Sequence, residues 1–99
     1  MAFYVYLLHC PDRSYYVGHT DNLELRIAQH QSGELVGYTT RRLPVVLLQA
    51  ETFSTREEAL VAEMQLKGWG RAKEEAWIRG DFVLLTQLAK KDFSRRKIL

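Results

Sequence analysis

Residues 3–18, Phe-Tyr-Val-Tyr-Leu-Leu-His-Cys-Pro-Asp-Arg-Ser-Tyr-Tyr-Val-Gly, decide how this chain reads. Phe3 to His9 is an aromatic and branched run, apolar on both faces, which suits a strand buried on both sides. Pro11-Asp12-Arg13-Ser14 is turn chemistry, so residues 15–18 should return antiparallel to the first strand as a hairpin. Pairing across a turn centred near Asp12 brings Tyr16 close to Tyr6 and puts both phenols on one face. Tyrosine in a strand is ordinary core material. Two phenols followed at once by a segment carrying a guanidinium and an imidazole would instead make a polar pocket where a small domain tolerates one least.

That following segment reads as a helix. Thr20 or Asp21 can cap it, Asp21 with Glu24 has the capping-box pattern, and Gly33 supplies a stop. Leu23, Arg26, Ile27 and His30 follow i, i+3, i+4, i+7 spacing, so Arg26 and His30 flank or interrupt the stripe that packs on the sheet. A purely structural helix would place leucine there. Residues 34–44, with Gly37, Pro44 and the pair Arg41-Arg42, read as a loop. Val45-Val46-Leu47-Leu48 through Phe53 is a third strand. Ser54 with Glu57, or Thr55 with Glu58, opens a second helix. On its wheel Ala59, Leu60, Ala62, Met64 and Leu66 make a broad apolar arc with Glu63 and Lys67 inside it, and the helix should end near Gly68 or Gly70. Residues 71–79 and 81–91 read as two further helices split by Gly80, with Asp81 as N-cap and Trp77, Ile78, Phe82, Leu85 and Leu88 as apolar anchors. The expected fold is α/β of the α+β kind: a small, mainly antiparallel three-stranded sheet flanked by helices.

Ninety-nine residues, 46% hydrophobic and 26% charged, fit one domain over 1–99. The core is expected over about 3–91, with a basic tail at 92–99. A net charge of +2 permits an anionic partner without requiring one. Residues 1–50 hold four basic and four acidic side chains, and 51–99 hold ten and eight. The excess includes Arg95-Arg96-Lys97, readable as a frayed, solvated end or as a binding arm. Cys10 is the only cysteine, which excludes a disulfide framework and a cysteine-based zinc site and points to a reducing compartment. No apolar run approaches the ~20 residues that cross a bilayer. The reading is therefore cytoplasmic, soluble and not bound to a membrane.

Glu63 is the sharpest anomaly, because an ionised carboxylate inside an apolar arc is costly unless it is paired or bound to a cation. An intrahelical pair with Lys67 is the plain structural explanation. A carboxylate that can hold Mg²⁺, beside an arginine suited to phosphate oxygens and two phenols, is an arrangement for handling phosphodiesters.

The ordered set Tyr4-Val5-Tyr6, Tyr16-Val17-Gly18, Thr20, Leu23, Arg26, His30, Glu63 and Lys67 resembles the GIY-YIG nuclease superfamily, above all its small single-domain bacterial branch. The resemblance implies a metal-dependent endonuclease that hydrolyses phosphodiester bonds in DNA. By the same resemblance Tyr6 or Tyr16 is the general base, Arg26 steadies the phosphate, and Glu63 ligates one divalent metal, Mg²⁺ or Mn²⁺. His30 would orient the phosphate or a tyrosine, and Lys67 would lower a tyrosine pKa or contact the backbone. Target selection would fall to Arg41, Arg42 and Arg71 or to a partner protein. Two departures stand out: Tyr4 replaces the first glycine, and the family's late asparagine has no counterpart, Asn22 being the only asparagine. The alternative reading is a non-catalytic or weakly active nucleic-acid-binding module of the same fold.

Overall fold

The computed structural model describes residues 2–35, 37, 39 and 42–88. Arg41, the last residues of the final expected helix and the basic tail lie outside the described residues. The chain divides into two compact units, one ending at Lys67 and one beginning at Gly68.

In the first unit, β1 (Phe3–His9) is the central strand of a three-stranded antiparallel sheet ordered β2-β1-β3, with β2 at Tyr15–Thr20 and β3 at Val46–Phe53. The hairpin turn is closed by Cys10 N–H donating to Ser14 O at 2.9 Å and by Arg13 N–H donating to Cys10 O at 2.9 Å. Arg13 takes a left-handed φ of 69° within it. Across the hairpin Tyr6 faces Gly18 and Leu8 faces Tyr16, so the two phenols share a face, as expected. Val5, Tyr6, Leu7 and Leu8 are all buried, which is the two-sided burial read from the sequence. The pairing of β1 with β3 shifts register between Leu7 and Leu8.

Helix α1 (Leu23–Ser32) lays Leu23 and Ile27 on a core of Tyr6, Leu8, Cys10 and Val45. Its N-cap is Asn22, whose side chain accepts from Leu25 N–H at 3.2 Å, rather than Thr20 or Asp21. Thr20 is spent one step earlier: its Oγ1 accepts from Asn22 N–H at 3.1 Å. The Asp21 carboxylate lies 3.8 Å from Arg56. Gly33 ends the helix with a φ of 78° that a side chain rarely adopts. Gln31 then brackets Val45, accepting from its N–H at 3.2 Å and donating to its carbonyl, which anchors the start of β3 to α1.

Helix α2 (Arg56–Lys67) opens with the Thr55/Glu58 capping box: Thr55 Oγ1 accepts from Glu58 N–H at 3.2 Å, and Glu58 accepts from Thr55 N–H at 3.1 Å. Its buried residues are Ala59, Glu63 and Leu66. The apolar arc is therefore narrower than the wheel suggests. Leu60 is 39% exposed and Met64 71% exposed, and the buried i, i+4, i+7 row is centred on the carboxylate.

In the second unit, α3 (Arg71–Arg79) ends at Gly80 with a φ of 69°, and Asp81 caps α4 (82–88) by accepting from Leu84 N–H at 3.0 Å. Trp77 is buried, whereas Phe82, expected as an anchor, is 66% exposed. Three strands and four helices among the described residues make an α+β protein.

Candidate functional site

The first cluster is built on the β1–β2 face that α1 covers. Strand β1 presents Tyr6, strand β2 presents Tyr16, and α1 presents Arg26 and His30. The three aromatic rings meet edge to face or tilted: Tyr16 and His30 centroids are 5.2 Å apart, Tyr6 and His30 5.7 Å, and Tyr6 and Tyr16 6.3 Å. Tyr6 Oη lies 2.9 Å from His30 Nε2, and His30 Nδ1 lies 2.8 Å from Thr39 Oγ1. Both hydroxyls can donate or accept, so the imidazole is satisfied at both nitrogens although it is buried.

Gly18 makes the Tyr6 position available. A Cβ built there would stand 2.5 Å from Tyr6 Oη and 2.7 Å from its Cζ, so the phenol lies across β2 where a side chain would otherwise be.

Burial pushes the Tyr6 pKa above the usual 10.0, with further upward influence from Tyr16 and Glu63; Arg26 opposes this through its charge and a hydrogen bond. Burial, and then the Arg26 charge, hold the His30 pKa below 6.5, so the imidazole is neutral near pH 7.

The second cluster centres on Glu63. Its Oε1 lies 2.8 Å from Lys67 Nζ, the intrahelical pair expected from the sequence, and its Oε2 lies 2.5 Å from His19 Nδ1. The Lys67 ammonium and the His19 hydrogen bond explain how a carboxylate survives in the buried row of α2. Strand alternation turns His19 to the side of β2 opposite Tyr16 and Gly18. The charges of Arg26 and Glu63 act on the Tyr6 phenol in opposite directions, Arg26 lowering and Glu63 raising its pKa. Both Glu63 oxygens are engaged, Oε1 by Lys67 and Oε2 by His19, so a divalent cation would reach this carboxylate only by displacing one of them.

Of the other expected residues, Arg42 Nε is held 2.9 Å from Asp12 Oδ2, and Arg71 lies 3.8 Å from Glu75 in the second unit. The sequence reading missed His19 and Thr39. His19 carried a signal: it directly follows Tyr16-Val17-Gly18, and alternation alone turns it away from the tyrosine face. Thr39 carried none, because a buried hydroxyl in a loop of no regular period is invisible to periodicity.

The chain belongs to the GIY-YIG catalytic domain family, whose model matches residues 2–76. It is similar to a UPF0213 protein of Streptococcus pneumoniae, 44% identical over 75 residues that cover 76% of each chain. A UPF0213 protein of Natronomonas pharaonis is 43% identical over 72 residues, 73% of this chain and 85% of the relative. Among solved structures it resembles the solution structure of a UPF0213 protein from Bacillus halodurans, with 38% identity, a TM-score of 0.53, and coverage of 80% of this chain and 84% of that one. A protein from E. faecalis gives 36% identity and a TM-score of 0.58, with coverage of 84% and 88%. The resemblance read from the motifs is thus borne out, and with it a nuclease-type fold. Nucleases of this family are generally metal-dependent and act on nucleic acid.

Proposed function

We propose that this protein is a metal-dependent endonuclease that hydrolyses phosphodiester bonds in DNA. The observation that carries the reading is the convergence on one phenol, Tyr6, of Tyr16, Arg26, a neutral His30 and the field of Glu63.

Each residue then has a task. Arg26 is the phosphate-binding group, since its guanidinium is always charged and can fork onto two phosphate oxygens. With Thr39 accepting from His30 Nδ1–H, Nε2 is left as a lone pair facing the Tyr6 hydroxyl. Tyr6 can then take a proton from the attacking water while passing its own to His30. Tyr16, half-buried beside both rings, narrows the approach to them and is the alternative base. Glu63 would hold Mg²⁺ or Mn²⁺, which when bound supplies positive charge for the phosphate oxygens and for water. Lys67 fixes one Glu63 oxygen so that the other stays oriented. Arg41, Arg42 and Arg71, or a partner protein, select the target, and the protein acts in the cytoplasm as one domain.

A second reading has its own support. Asn22 is spent as the α1 cap, and Tyr6 is held with its pKa raised. Both suit a domain of this fold that binds nucleic acid with little turnover.

The test is incubation of the protein with plasmid, single-stranded and branched DNA in Mg²⁺ or Mn²⁺, beside Glu63→Ala and Tyr6→Phe. Cleavage that both substitutions abolish supports the nuclease. Undiminished cleavage in both sinks the residue assignment, and binding without cleavage selects the second reading.

A further inference from the structure

Helix α2 carries a second apolar stripe on the side opposite its buried row. Ala59, Glu63 and Leu66 form the buried row, whereas Leu60, Val61 and Met64 are 39%, 55% and 71% exposed. Leu60 and Met64 stand one turn apart, and the exposed Glu57 and Lys67 extend the same stripe beyond each end. The spacing of Glu57, Leu60, Met64 and Lys67 alternates three and four residues, the pattern of a helix that packs along another helix. A surface pocket lined in part by Phe53, Glu57, Val61 and Ala62 borders the stripe. The phosphodiester site uses none of the three exposed apolar side chains.

The end charges select the occupant. Glu57 and Lys67 are equidistant in sequence from Ala62, and so are Leu60 and Met64. Two copies of α2 laid antiparallel about a two-fold axis at Ala62 therefore set Leu60 of each against Met64 of the other, and Glu57 of each against Lys67 of the other. A parallel pair would instead oppose like charges. We propose that this face of α2 is the interface of a two-fold homodimer, in which α2 packs antiparallel against α2 of a second copy with reciprocal Glu57–Lys67 ion pairs. Lys67 serves both carboxylates: its ammonium has three donors, its side chain is 56% exposed, and Glu63 Oε1 takes one of them. A contact centred on one 12-residue helix, about 18 Å long, lies at the small end of specific interfaces, so the pair is weak and concentration-dependent.

The test uses the full chain and needs no substrate. Sedimentation velocity over a concentration series is run on the unaltered protein and on Met64→Lys, and the unaltered protein is also treated with a zero-length carbodiimide cross-linker and mapped by mass spectrometry. The unaltered protein should pass from monomer to dimer as concentration rises, and Met64→Lys should weaken that association about 10-fold or more. Within one chain Glu57 and Lys67 stand about 15 Å apart along the helix axis, beyond the reach of such a reagent, so a Glu57–Lys67 link reports two chains. That link, read on the unaltered protein, keeps the proposal testable if the variant fails to fold. A chain that stays monomeric to millimolar concentration, a dimer undiminished by Met64→Lys, or a dimer without the Glu57–Lys67 link overturns the proposal.

Discussion

Tyr6 Oη and His30 Nε2 stand 2.9 Å apart although 24 residues separate them in the chain, and this hydrogen bond ties the central strand to α1. Tyr6 is 1% exposed and His30 2% exposed, so loss of either leaves a buried polar atom of the other without its hydrogen bond. A buried polar pair of this kind is stable only when every member is satisfied, which Thr39 achieves at the far side of the ring.

Gly18→Ala should displace the Tyr6 ring. The added methyl would meet Tyr6 Oη at 2.5 Å and Cζ at 2.7 Å, and the ring is anchored by His30. Overpacking at such a site costs about 1–3 kcal/mol. Urea unfolding should report that loss, and near-ultraviolet circular dichroism should report the altered tyrosine environment. An unchanged midpoint would contradict the packing described.

Stability should fall in mild acid because of His30. Its pKa in the folded protein is held below the ordinary 6.5, so the unfolded chain takes up the proton first as pH drops. The contribution is therefore full above 6.5 and declines as pH falls from there toward the folded-state value. His30→Gln should flatten that part of the profile, as read by urea unfolding at a series of pH values. Tyr6 has the opposite window: its raised pKa means stability is full below 10.0 and lost as pH rises beyond it.

Tyr6→Phe separates chemistry from folding. On the proposed mechanism it removes the proton acceptor and should lower kcat about 100-fold or more. Leaving His30 with one unpaired nitrogen should cost about 1–3 kcal/mol. Single-turnover kinetics beside denaturant titration measure the two effects on one sample. Full activity in this variant moves the base assignment to Tyr16.

Arg26→Ala should weaken DNA binding and reduce the dependence of log affinity on log salt by about one unit, the signature of one lost phosphate contact. Fluorescence anisotropy across a salt series measures it. An unchanged slope would remove Arg26 from the phosphate site.

Thr55→Ala should cost about 1 kcal/mol, because its hydroxyl takes one orphan N–H of α2 and its own N–H is returned to Glu58. Ser54→Ala, one residue earlier, should stay within about 0.5 kcal/mol. Thermal or urea unfolding of the pair decides between the two capping boxes that the sequence left open.

Local rules carried most of the fold. The hairpin follows from an apolar run, a proline-aspartate turn and a second run. The helix ends at Gly33 and Gly80 follow from the left-handed φ values that glycine tolerates. The caps show where such rules stop. Asp21-x-x-Glu24 satisfies the same pattern as Thr55-x-x-Glu58, yet Asn22 takes the cap while Asp21 turns to Arg56. Competing short-range partners of similar energy are sorted by neighbours that lie far away in the chain.

By itself the sequence determined the strand pairing face, the helix positions and the resemblance to the GIY-YIG family, and it singled out Tyr6, Tyr16, Arg26, His30, Glu63 and Lys67 as candidates, because these depend on periods and spacings written along the chain. The tertiary structure alone decided that Thr39 completes the His30 hydrogen bonds, that Gly18 makes room for Tyr6, and that Glu63 of α2 meets His19 of β2. Those are contacts between side chains 9, 12 and 44 residues apart. No local period encodes them, since they exist only once burial has brought the sheet and the helices together.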